Sequence, residues 1–177
     1  METTDRRRID QILDQEFVSD LADASIEELR RRRRLCDDVD IELSYYRRLL
    51  HGRMDLAAYE LRRRRGLESR SILEALADIL TGNEERTITG KVVPVSLPHL
   101  PAVGRRAIDR ALNDDFLTRL PDIDDEELAA IQTVLADTEQ AVSTQRRAMY
   151  EVYGQVHGEL TRRYSEGLAD ADQLLHP

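Results

Sequence analysis

The sequence predicts an all-α protein: two long helices forming a coiled coil, with short flanking helices and an irregular linker, all arising from an internal duplication. Three observations predict it. The 177 residues include only 8 Gly and 5 Pro, unevenly placed, so long stretches run without a helix breaker. Apolar residues recur every seven positions, the period of a coiled-coil seam. The chain also aligns with itself, which is the mark of a repeated unit.

The self-alignment pairs residues 6–65 with 105–164, without gaps, at a fixed offset of 99 positions. Arg6, Arg7, Ile9, Asp10, Leu13, Phe17, Leu21 and Asp23 recur as Arg105, Arg106, Ile108, Asp109, Leu112, Phe116, Leu120 and Asp122. Glu27, Glu28, Leu29 and Asp38 recur as Glu126, Glu127, Leu128 and Asp137. Ser44, Arg47, Arg48, Glu60, Leu61, Arg63 and Arg64 recur as Ser143, Arg146, Arg147, Glu159, Leu160, Arg162 and Arg163. The two Phe residues of the chain fall in the same register, which biased composition does not readily produce. The predicted organisation is therefore copy one (6–65), a linker (66–104), copy two (105–164) and a C-terminal tail (165–177).

Each copy reads as a short helix followed by a long one. Ile9, Ile12, Leu13, Phe17 and Leu21 are helically spaced. Ser25 can cap the next helix, with Glu28 three residues on completing a capping box, and that helix can run to Arg65 before Gly66. In copy two, DIDDEEL puts acids in the first turn, where the helix dipole favours them, and the helix can run to about Ser165 before Gly167. The expected seam is Leu29, Cys36, Leu43, Leu50 and Ala57, with Val39 and Tyr46 beside them; Leu128, Leu135, Val142, Met149 and Val156 take the equivalent places. From the spacing alone the pairing is either antiparallel within one chain or made with another chain. The linker opens with a helical stretch, SRSILEALADIL, and turns irregular through TGNEERTITGKVVPVSLPHLP. TITGK is not a phosphate-binding loop, because it lacks the upstream Gly and no Ser or Thr follows Lys91.

Composition excludes several classes. Hydrophobic residues make up 41% and aromatics 5%, with no Trp, so a thin apolar seam fits better than a thick core. A net charge of −9 argues against direct DNA binding and permits a basic partner. The run Arg30 to Arg34 is flanked by acids and reads as a solvated helix face. Cys36 is the single cysteine, so no disulfide forms within the chain and a reducing cytoplasm is expected. Neither a signal peptide behind METTDRRRID nor a membrane-length apolar run is apparent. An enzyme is the least expected class, because His51, His99, His157 and His176 are scattered and show no metal-ligand spacing with Cys36. No catalytic cofactor is expected.

One row of polar residues does invite a function. Asp40, Ser44, Arg47, His51 and Asp55 lie within about an 80° arc of the long helix, about 100° round from the seam. Copy two repeats the start as Glu139, Ser143 and Arg146, then continues with Tyr150 and Gly154. Neighbouring surface positions have scrambled: Tyr45 is matched by Thr144, Tyr46 by Gln145 and Gly52 by Glu151. Arginine grips guanine O6 and N7 bidentately or stacks on the base. A carboxylate accepts from guanine N1–H and the exocyclic amine, and a hydroxyl donates to phosphate. The set suits a guanine nucleotide carrying phosphate.

In these residues the sequence resembles RsiG, the actinobacterial anti-sigma factor family that responds to cyclic di-GMP. That family carries E-x3-S-x2-R-x3-Q-x3-D on each helix of an antiparallel coiled coil. Copy one matches the spacing throughout, with Asp40 for Glu and His51 for Gln. Copy two matches at Glu139, Ser143 and Arg146, then departs, with Tyr150 for Gln and Gly154 for Asp. The resemblance implies that Asp40, Ser44, Arg47, His51, Asp55, Glu139, Ser143, Arg146 and Tyr150 bind cyclic di-GMP as a regulatory ligand, with two molecules expected. It also implies that the loaded protein captures a WhiG-type sigma factor, masking basic surfaces of that factor with an acidic partner. The competing reading is a ligand-independent coiled-coil adaptor or dimerisation module whose polar row is merely solvated and laced with i,i+4 pairs.

Overall fold

The computed structural model describes residues 8–81, 112 and 115–167. Among these the regular elements are all helical: α1 (Arg8–Ile12), α2 (Ile26–Arg64), α3 (Ile72–Thr81), α4 (Phe116–Arg119) and α5 (Asp125–Ser165), with a 3-10 turn at Gln15–Phe17. The two long helices α2 and α5 pack together. The irregular linker stretch 82–104, most of the second short helix and the tail from 168 fall outside the described residues. No helix among the described residues is long and apolar enough to cross a membrane.

Helix ends follow local chemistry. Ser25 Oγ accepts from Glu28 N at 3.1 Å to start α2. Asp124 Oδ1 accepts from Glu127 N at 2.7 Å to start α5. A complete capping box opens α3: Glu74 N donates to Ser71 Oγ at 3.3 Å, and Ser71 N donates back to Glu74 Oε2 at 2.7 Å. Gly66 ends α2 with a φ of +73°, a left-handed conformation that costs an L-residue and not glycine. Gly66 N then reaches Arg63 O and Leu67 N reaches Arg62 O, each at 3.0 Å, the Schellman pattern.

The seam residues are buried along both long helices. Leu29, Cys36, Val39, Leu43, Tyr46, Leu50 and Ala57 of α2 are all at most 7% exposed, as are Leu128, Leu135, Val142, Met149 and Val156 of α5. Cys36 is one of these fillers. Burial, with a smaller contribution from the Asp37 charge, pushes its thiol up to about 11, so it stays protonated at neutral pH.

Two compact units divide the chain, one of residues 1–43 with 143–177 and the other of residues 44–142. Each long helix thus contributes one part of its length to each unit.

In the first unit, α1 and the 3-10 turn supply buried Ile9, Ile12 and Phe17. The helical spacing of Ile9, Ile12, Leu13, Phe17 and Leu21 predicts one short helix here, but the structure breaks it at Asp14. Asp14 Oδ1 accepts from Glu16 N at 3.0 Å, and this local bond competes with helix continuation. Leu13, expected on the apolar face, is 39% exposed as a result. Three arginines tie the turn region to the long helices. Arg8 pairs with buried Glu42 at 2.7 Å. Arg32 donates to Phe17 O at 2.9 Å and to Asp20 at 2.6 Å, with its guanidinium over the Phe17 ring. Arg163 donates to Ala24 O at 2.6 Å, and to Leu21 O and Ala22 O at 2.9 Å.

In the second unit, Leu56, Ala57, Phe116, Leu120, Ile123 and Leu128 form the buried centre, and Ile72, Leu76 and Ile79 of α3 pack against it. Arg64 donates to Leu120 O at 3.1 Å and pairs with Asp125 at 2.8 Å. Arg53 reaches Leu112 O at 2.9 Å and lies over the Phe116 ring. The Arg64 and Arg163 contacts correspond: Arg64 and Arg163 are 99 positions apart, and so are their acceptors Leu120 and Leu21.

Both arginines are anchored by an acid one turn back. Glu60, 1% exposed, accepts from Arg63 and Arg64; Glu159 accepts from Arg162 and Arg163. Hydrogen bonds from Arg162 and then Arg163 hold the Glu159 carboxyl down at about 2, and Arg31 then Arg32 do the same for Glu28. Because these pKa values are lowered on folding, their stabilisation is complete above the ordinary glutamate value of 4.5 and is lost as pH falls from 4.5 towards 2. Thermal melts across that window should show Tm falling steadily. Glu159→Gln should start from a lower Tm at neutral pH and give a shallower acid slope; a slope equal to that of the parent would remove Glu159 from the account.

Candidate functional site

The polar row lies at the rim of the helix pair. Asp40, Ser44 and Arg47 are half-buried, and His51 and Asp55 are exposed. Glu139, Ser143 and Arg146 are half-buried, and Tyr150 is 44% exposed. The structure gathers six of the nine candidates into two clusters, one in each unit. Ser44, Ser143 and Asp55 stand on the same rows outside the contacts described next.

In the second unit, Arg47 Nε donates to Glu139 Oε1 at 3.0 Å, and His51 Nε2 lies 3.1 Å from the same oxygen. In the first unit, Arg146 Nε donates to Asp40 Oδ1 at 2.7 Å, and Tyr150 OH donates to Asp40 Oδ2 at 2.9 Å. Arg146 Nη2 also reaches Tyr150 OH at 3.1 Å, with its guanidinium 5.1 Å from the Tyr150 ring centroid. The three roles correspond at the offset of 99: Arg47 with Arg146, Asp40 with Glu139, and His51 with Tyr150. Each cluster is an arginine and a ring from one long helix around a carboxylate from the other.

Sequence reasoning missed this cross-helix pairing. It placed acid, hydroxyl and arginine on one helix and treated i,i+4 pairs along that helix as the alternative use. The arginine partners are instead on the facing helix, because the register of α2 against α5 brings position 47 level with 139 and 40 level with 146. Nothing in either helix alone reports that register. The Tyr150 departure from the motif also has a use: its hydroxyl is a partner for the Asp40 carboxylate. Burial, and then the hydrogen bond to Asp40, raise the Tyr150 pKa, so the phenol stays protonated and donates. The hydrogen bond from Arg146 to Asp40 is likewise the main cause raising the Arg146 pKa.

Chemically, each cluster offers a guanidinium, a carboxylate and a ring at the surface. That is a recognition set, with donors and acceptors for a polar planar ligand. Among the described residues, no group of three or more His, Cys, Asp or Glu is placed to hold a metal ion.

No curated protein matches the chain. Residues 15–80, which take in the first polar row, the 3-10 turn, α2 and nearly all of α3, match the model of the RsiG-like family, and over that stretch the chain is similar to RsiG-like proteins.

Proposed function

We propose that this chain is an anti-sigma factor that binds cyclic di-GMP on its two polar rows and, when loaded, sequesters a WhiG-type sigma factor. The RsiG-like family is regulatory rather than catalytic; it suggests an anti-sigma role and implies a sigma factor as partner. The observation that carries the finer reading is the recurrence of one arrangement, arginine and ring around a carboxylate, at equivalent positions of both copies. A duplicated chain retaining the same three-part cluster in each half suits two ligand molecules. The reading takes α2 and α5 as an antiparallel coiled coil built by duplication. The contacts support it: Arg30 meets Tyr164 and Asp40 meets Arg146 in one unit, Arg47 meets Glu139 and Arg64 meets Asp125 in the other, so one number rises as its partner falls.

The ligand would have to exchange the existing ion pairs or add to them. With side chains 30% and 16% exposed in one pair and 29% and 27% in the other, these pairs are near the surface. Such pairs are worth about 0.2–1 kcal/mol each. A bidentate arginine–guanine contact is worth about 1–3 kcal/mol, so exchange is favourable. Ser44 and Ser143 would then donate to phosphate oxygens.

A second reading has an observation of its own. Both arginines already have carboxylate partners without any ligand, as a ligand-independent coiled-coil adaptor requires. Calorimetric titration of the purified chain with cyclic di-GMP, alone and with a WhiG-type sigma factor, separates the two. The proposed function gives about two ligand equivalents and sigma capture only when ligand is present. Absence of ligand heat together with ligand-independent sigma binding would establish the adaptor.

A further inference from the structure

The polar row of the first unit continues past its motif. On α5, Arg146 is followed by Tyr150, Tyr153 and His157 at steps of four, three and four. Tyr150 and Tyr153 meet edge to face at 6.3 Å, and Tyr153 and His157 stack at 5.6 Å with 10° between the rings. Tyr150 and His157 are exposed and Tyr153 is half-buried. On α2, Asp40 bonds the Tyr150 hydroxyl, and Asp37, one turn before it, is close enough to feel the charge of His157.

Asp37 is the poorly matched acid here. Its nearest cation, Arg33, is 3.8 Å away, against 2.7 Å for Arg146 on Asp40. Although Asp37 is exposed, desolvation of its carboxylate, with the charges of Asp38 and Asp40, outweighs Arg33 and His157 and raises its pKa. A second cation would relieve that repulsion. The equivalent positions in the second unit hold none of this chemistry: Met54 stands for Tyr153, Ala58 for His157 and Ala136 for Asp37. The surface therefore belongs to one unit only.

We propose that Tyr150, Tyr153 and His157 with Asp37 form a docking surface for an arginine-bearing basic segment of a protein partner. A guanidinium is planar, stacks on tyrosine faces and bonds a carboxylate at once, which an ammonium does less well. Elsewhere in this chain arginines already lie over Tyr164, Phe17, Phe116 and Tyr59 at 5.5–5.9 Å, so the pairing recurs in its packing. The proposal rests on the anti-sigma reading only for the identity of the partner, and the peptide titrations that decide it use no sigma factor.

The test titrates the full chain with a short arginine peptide and a matched lysine peptide, following the Tyr153 and His157 ring signals by NMR and affinity by calorimetry. The arginine peptide should shift both ring signals and bind several-fold tighter than the lysine peptide. Tyr153→Ala and Asp37→Asn should each weaken it about tenfold, Tyr153→Phe should restore most of the loss, and Met54→Ala should change nothing. Equal affinity for the two peptides, or an unaltered affinity in Asp37→Asn, overturns the proposal. Should Tyr153→Ala lose helical structure, Asp37→Asn decides. If cyclic di-GMP moves the Tyr153 and His157 signals and the arginine peptide does not, the row extends a nucleotide site and the docking role fails. A parent chain that binds the peptide yet captures no sigma factor would sink the anti-sigma reading alone.

Discussion

Alanine at both Arg47 and Arg146 should abolish cyclic di-GMP binding and ligand-dependent sigma capture together, while the helices remain folded. Each arginine is the cation of its cluster, held by Glu139 at 3.0 Å or Asp40 at 2.7 Å. Removing a bidentate, charge-assisted contact to guanine costs about 1–3 kcal/mol, or roughly tenfold to a hundredfold in affinity per site. With both sites weakened by that factor, ligand concentrations that saturate the parent should give little or no heat. The single variants separate the halves. Arg47→Ala should weaken the site beside His51, and Arg146→Ala should weaken the site beside Tyr150, each leaving about one ligand equivalent. Stability should change little, because both pairs lie at the surface and such pairs contribute only about 0.2–1 kcal/mol. Calorimetry with a circular dichroism melt on the same sample checks both statements. A double variant that still binds two equivalents would show that the arginines only brace the helix pair.

The parts of this molecule that were legible in its sequence are those set by one helix at a time. Ser25 caps α2 by a bond to a residue three positions on, as its spacing to Glu28 suggests, and Gly66 ends α2 through its own φ. The seven-residue spacing located the buried seam because burial repeats with the helix period. What could not be read was anything decided between elements. Arg163 reaching three carbonyls near residues 21–24, and Glu42 buried against Arg8, depend on a register that neither partner encodes alone. The same is true of the candidate site: its residues could be listed from their spacing, but which arginine faces which acid needed the fold. The row from Tyr150 to His157 escaped because Met54 and Ala58 stand 99 positions before Tyr153 and His157, and aligning the chain with itself rewards only what recurs.

Replacing Arg163 by methionine should produce the largest loss of stability among the arginine variants, about 2–4 kcal/mol. Its guanidinium is 12% exposed and donates to Ala24 O, Leu21 O and Ala22 O while Nε holds Glu159. Methionine keeps the apolar stem and removes every donor, leaving carbonyls of the turn before α2 unsatisfied. Hydrogen bonds from a charged group contribute about 1.5–3 kcal/mol, and an orphaned buried acceptor costs about 1–3 kcal/mol. Partial access of water to the turn keeps the total below a simple sum. Arg162 provides the control, since it bonds the same Glu159 at 2.7 Å but is 48% exposed and makes its other pair with Glu166 at the surface. Arg162→Met should cost less than about 1 kcal/mol. Arg64→Met should fall between the two, because its one carbonyl acceptor is Leu120 O and its partner Asp125 is 73% exposed. Urea unfolding of the three variants at neutral pH gives the order directly. If Arg162→Met and Arg163→Met cost the same, the clamp acts through Glu159 alone and the carbonyl contacts contribute nothing. If the Arg163 loss stands alone, the turn between the 3-10 helix and α2 is held by the C-terminal part of α5, and the first unit closes only when that part of α5 has packed against α2.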